Sequence, residues 1–202
     1  MIRTTLFATA LALGASPALA EMAWTLDADA SRVAYGSIKA EVFGEVNHFE
    51  SVSGGLKSDG TAEIAIDLSS VQTNVDIRNE RMVEHVFKGA EAPAMLKATI
   101  DTAALDALQP GETATVPVEG TLSFLGLDVV VDTDMLVARL GEDRVLVTTN
   151  DMIMVAAEDL EIDAGLDTLM ELAGLDGITR TVPVTLRLVF DRAAVKEAAL
   201  RQ

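Results

Sequence analysis

The chain has 202 residues, a formal net charge of −17, 50% hydrophobic and 4% aromatic residues, and no cysteine. Without thiols there are no disulfide staples, thiolate zinc sites or CxxCH haem attachment, so the fold rests on core burial alone. The acidic field repels nucleic acid and anionic lipid surfaces, the few aromatics argue against base-stacking platforms, and the charge keeps so apolar a chain dispersed.

In chain order, the first expected element is a leader. Arg3 supplies a positive start, residues 6–13 an apolar stretch, and Ala18-Leu19-Ala20 a small-x-small cleavage site. Residues 1–20 therefore read as a cleavable secretory signal peptide, with residues 21–202 forming one exported, periplasmic domain. The apolar stretch is too short to span a bilayer, and no later run of about 18 uninterrupted apolar residues follows, so stable membrane insertion is not expected.

From Trp24 onward the dominant pattern is alternation at period two, broken by Gly, Asp, Asn and Ser clusters. Val33 and Tyr35, then Ile38, Ala40 and Val42, switch faces around Gly36-Ser37, which predicts a bulge. Ala62, Ile64, Ile66 and Leu68 share one face of a strand. Residues 76–87 have helical spacing, with Asp76 as the expected N-cap. Val116, Val118, Leu122 and Phe124 form another buried face, Leu125-Gly126 a turn, and residues 129–140 a long returning strand. Val145 and Val147 open the next strand. A second short helix is predicted over 166–173, stopped by Gly174. Val182, Val184, Leu186, Leu188 and Phe190 make a late strand, and residues 191–201 a third helix or a frayed tail. Pro93, Pro110, Pro117 and Pro183 are expected at segment starts or turns. About eight antiparallel strands with two or three short helices leave two all-β architectures, a closed up-and-down barrel or a two-sheet sandwich.

Several stretches resemble the YceI-like family of exported, lipocalin-like proteins. WTLDADASRVAYGSIK at 24–39 is similar to the family's opening strands, and HFESVSGGL at 48–56 to its next strand. The run IDLSSVQTNVDIRNERMVEHVF resembles its Ser-x-x-Thr, Arg-Asn and aromatic-ending helix signature, and Ala92-Pro93 with Leu96 and Thr99 its Pro-led return strand. The resemblance implies an antiparallel lipocalin-like β-barrel with a long apolar interior for polyisoprenoid-type lipids, no cofactor and no established catalytic residues. The segment AEVFGEVN after Lys39 is shorter than the helical insertion often found in the family, which implies a differently shaped pocket mouth.

On that reading the inward residues Val33, Tyr35, Phe49, Val83, Phe87 and Met95 are expected to line the pocket, with Arg78 and Arg81 meeting the polar head of an amphiphile. The expected partner is a polyisoprenoid, quinone-like lipid or fatty-acid derivative, carried or sequestered. A homodimer is left open. The alternatives are an interaction module whose barrel is filled by its own side chains, a lipid-modifying catalyst, and a Cu(I)-handling protein using Met152 with Met154 or Met82 with His85. Hydrolase chemistry is disfavoured, because His48 and His85 are the only histidines and neither lies near a nucleophile-elbow motif.

Overall fold

The structure is a computed structural model that describes residues 21–194. The expected leader lies outside the described residues, as does most of the expected third helix. The start of that helix is strand instead, since the last strand runs to Arg192.

Among the described residues there are twelve strand segments: β1 Met22–Leu26, β2 Arg32–Lys39, β3 Phe43–Phe49, β4 Val52–Lys57, β5 Thr61–Ile66, β6 Val71–Gln72, β7 Ala94–Thr99, β8 Thr113–Phe124, β9 Leu127–Gly141, β10 Arg144–Thr149, β11 Ile153–Ala156 and β12 Thr181–Arg192. Four consecutive pairs are halves of one interrupted strand. β1 and β2 both pair with β12, β4 and β3 pair with β1 and β2, β5 and β6 pair with β4 and β3, and β10 and β11 lie along the other edge of β12. The result is eight long antiparallel strands, each beside its neighbour in sequence, with β12 closing the ring. The pairing of β12 with β1 and β2 closes the ring, and it selects the barrel over the sandwich.

Alternation explains which side faces in. Ile64 and Ile66 of β5, and Leu186, Leu188 and Phe190 of β12, are buried in one continuous core with Trp24, Leu26 and Val33. Side-chain hydrogen bonds fix the interruptions. Asp67 Oδ1 accepts from Ser69 N at 2.9 Å and caps the 3-10 turn Leu68–Ser70, and Ser31 Oγ accepts from Val189 N at 2.9 Å between β1 and β2. The Leu125-Gly126 turn joins β8 to β9 with both residues at positive φ, 49° and 89°, the backbone twist a two-residue hairpin favours.

Four local expectations differ from the structure. No bulge occurs at Gly36-Ser37: β2 pairs with β3 in unbroken register from Val33↔Phe49 to Lys39↔Phe43. The inward face therefore continues through Ser37 and Lys39, and Ile38 points outward at 47% exposure. Pro117 lies inside β8 rather than at its start. It is tolerated because β7 reaches only residues 120–123 of β8, so no β7 residue awaits a donor at 117. The helix expected over 76–87 divides into α1, Asp76–Arg81, and a π-helical turn, Met82–Val86. Its N-cap is Val75, with no side-chain cap, and Asn79 Oδ1 accepts from Thr73 N at 2.8 Å and Thr73 Oγ1 at 2.6 Å, tying the helix to the turn before it.

A further helix, α2 at Thr102–Ala107, is capped by Asp101 and sends Leu105 into the core. It was not anticipated, because six residues are too few to show periodicity. The predicted second helix is α3, Asp163–Ala173, three residues longer at its start and ended by Gly174 at φ 61°. Among the described residues, no helix is long and apolar enough to cross a membrane.

Candidate ligand-binding site

The two ends of the barrel differ. At one end Trp24, 3% exposed, stacks beneath two guanidinium groups, Arg139 at 5.1 Å and Arg192 at 4.4 Å from the ring centroid. The indole and Leu105 of α2 border a small cavity of about 100 Å³ whose exposed lining is wholly apolar. The buried indole and Leu105 stand at this end of the barrel interior.

At the other end α1, the π turn and α3 cover a larger cavity of about 440 Å³. Its walls are mostly aliphatic, with Ile66, Leu122 and Val184 from the strands and Leu166 and Leu169 from α3. Along one side runs an aromatic ladder, Tyr35, Phe49, Phe87 and Phe124, with successive ring centroids 5.9, 6.0 and 6.1 Å apart. The π turn matters here. It brings Met82, Val86 and Phe87 together on the inner face, where all three line the cavity.

The small cavity begins one inward layer below the large one. Two residues along each strand, Ile66 gives way to Ile64, Leu122 to Gly120 and Val184 to Leu186. The two spaces are thus stacked through the apolar barrel interior.

Towards the mouth the wall becomes polar, because the unbroken register of β2 carries Ser37 and Lys39 inward. Asn47 Nδ2 donates to Ser37 Oγ at 3.1 Å. Glu45 bridges two cations, accepting from Lys39 Nζ at 2.8 Å and from Arg78 Nη1 at 2.6 Å. Arg78 Nη2 also donates to the Thr73 carbonyl at 2.5 Å, while its Nε and the Tyr35 hydroxyl are buried without a protein partner. Burial raises the Tyr35 pKa against a small opposing pull from Arg78, so the phenol stays protonated. Arg81 and Arg180 complete the mouth; Arg81 reaches the Leu172 carbonyl at 3.4 Å, and Arg180 pairs with Asp163 and Asp167.

Of the residues expected from sequence, Val33, Tyr35, Phe49, Arg78 and Phe87 line this cavity, together with Arg81. Val83 and Met95 do not. Ala94 and Leu96 take the inward positions on β7, so Met95 is out of phase by one residue, the error to which period-two reasoning is exposed. Val83 loses the inner face to Met82 and Val86 on the π turn. Sequence reasoning missed the contribution of residues 155–169, although the i, i+3 spacing of Leu166 and Leu169 on α3 was a usable signal. Neither histidine lines the cavity. Met152 and Met154 are exposed on the outer wall at 65% and 60%, whereas Met82 is buried.

Comparison with known proteins agrees with this architecture. A polyisoprenoid-binding domain from Saccharophagus degradans, implicated in plant cell wall breakdown, superposes with a TM-score of 0.84 at 36% identity, covering 86% of this chain and 100% of that one. Burkholderia cenocepacia BcnA shares the fold, with a TM-score of 0.62 at 16% identity over 81% of this chain and 98% of the other. Among curated proteins none matches significantly. The YceI-like domain matches residues 24–190, from within β1 to within β12, and the chain belongs to that family.

Proposed function

We propose that this protein binds a long-chain amphiphile, a polyisoprenoid, quinone-like lipid or fatty-acid derivative, inside the barrel, and carries or sequesters it in the periplasm. The observation that carries this reading is the 440 Å³ apolar cavity with a polar mouth at only one end. The similar domain from Saccharophagus degradans, described as polyisoprenoid-binding, supports it. Binding works by burial: each enclosed methylene contributes about 0.8 kcal/mol, so a chain gains affinity without a strong polar contact. The Tyr35, Ser37, Asn47 and Arg78 side chains stand where the polar head would rest.

Titration with a homologous series of chain lengths tests this. Affinity is expected to rise roughly threefold to fourfold per added methylene and to level off once the stacked cavities are full. No saturable binding at any length would overturn the reading in favour of a barrel filled by its own side chains. Residence in the periplasm rests on the Ala18-Leu19-Ala20 leader pattern. It requires that protein recovered from the cell envelope have the mass of residues 21–202; a full-length mass would contradict it.

A further inference from the structure

Resting on the lipid-binding reading, we infer that the open end of the barrel docks onto the surface of a zwitterionic phospholipid bilayer, with the β2–β3 hairpin tip as its wedge. Six of the twelve large apolar side chains left exposed among the described residues gather around this mouth. Val42, Phe43 and Val46 on the hairpin are 73%, 60% and 70% exposed, Val75 and Ile77 at the start of α1 are 43% and 51%, and Leu172 at the end of α3 is 46%.

Contacts between the elements make these residues a ring. The hairpin meets α1 through Glu45 and Arg78, α1 meets the end of α3 through Arg81 and the Leu172 carbonyl, and the loop after α3 returns to the hairpin where Ala40 N donates to the Gly177 carbonyl at 3.0 Å. The ring is continuous with the interior, because Val75 and Ile77 are at once exposed and part of the cavity lining. A lipid tail moving between bilayer and barrel along this path stays against apolar surface throughout. Beside Trp24 and Arg139 at the other end the exposed large apolar side chains are fewer, Met22 and Leu140.

Charge decides which bilayer. The cations at the mouth are largely committed to carboxylates, Lys39 and Arg78 to Glu45 and Arg180 to Asp163 and Asp167. Glu41, Asp76, Glu80 and Asp176 add negative charge to the same end of a chain whose net charge is −17. An anionic surface is repelled, so the apolar rim is left to act on a bilayer without net charge.

Flotation with phosphatidylcholine vesicles, beside binding of a water-soluble short-chain lipid probe, separates this inference from the reading beneath it. Native protein should float with phosphatidylcholine and less with vesicles containing phosphatidylglycerol at low salt. The triple variant Val42→Ser, Phe43→Ser and Val46→Ser removes apolar area that lies outside the cavity lining. It should lose roughly tenfold or more in vesicle partitioning while keeping native probe affinity. Native protein that ignores phosphatidylcholine vesicles, or a variant that floats as well as native, overturns the docking surface. Loss of probe binding by native protein would instead overturn the lipid cavity.

Discussion

Glu45 shows how single residues set the character of the mouth. Burial pushes its carboxyl up, but hydrogen bonds from Lys39 and Arg78 outweigh this and hold it below the usual carboxylate range. With a folded pKa below the ordinary 4.5, the folded state binds fewer protons than the unfolded chain between those two values. The contribution to stability is therefore complete above about pH 4.5 and is lost as pH falls through the folded pKa. Glu45→Gln should lower the melting temperature at neutral pH, and the gap to native protein should close on acidification towards about pH 3. A gap that stays constant with pH would show that the charge pairing contributes nothing. At this scale legibility was uneven. Val33, Tyr35, Phe49 and Phe87 announced themselves as inward apolar residues, and Arg78 with Arg81 as cations able to meet a polar head at the mouth. Glu45 carried no signal, because its role depends on register across β2 and β3, which sequence does not fix in so acidic a chain.

Between elements, the contact that shapes the cavity roof is the packing of α3 on the π turn. Gly165 permits it. A Cβ at this position would lie 2.3 Å from the His85 carbonyl oxygen and 2.8 Å from Val86 Cα, both backbone atoms that cannot swing aside. Gly165→Ala should destabilise the fold by about 2 kcal/mol and weaken lipid binding, because α3 and the π turn must separate. Gly174→Ala meets nothing within 4 Å and bears only the strain of φ 61°, a cost of about 1 kcal/mol. Equal melting temperatures for the two variants would argue against close helix packing as the constraint. The strands were legible as elements because each has one buried face. The π turn was not, because its apolar residues fit an ordinary helix equally well, and α2 was too short to register.

The molecule as a whole joins a strongly acidic composition to an apolar interior with room left inside it. Eight strands closed by β12 against β1 and β2 enclose that interior, and α2, Trp24 and the arginines around it stand at one end. Composition and alternation limited the architecture to a barrel or a sandwich. The choice between them turns on the pairing of the first strand with the last, a contact spanning nearly the whole chain that no local pattern reports. Whether the interior is open or filled was equally hidden, since it depends on summed side-chain volumes rather than on periodicity.

On the proposed function, the cavity holds a long-chain lipid. Protein purified from its native compartment, extracted with organic solvent and examined by mass spectrometry, tests this most directly. One predominant long-chain amphiphile should be recovered in near-stoichiometric amount, and an extract containing no more of such a lipid than that of a control protein from the same compartment would overturn the lipid-binding reading.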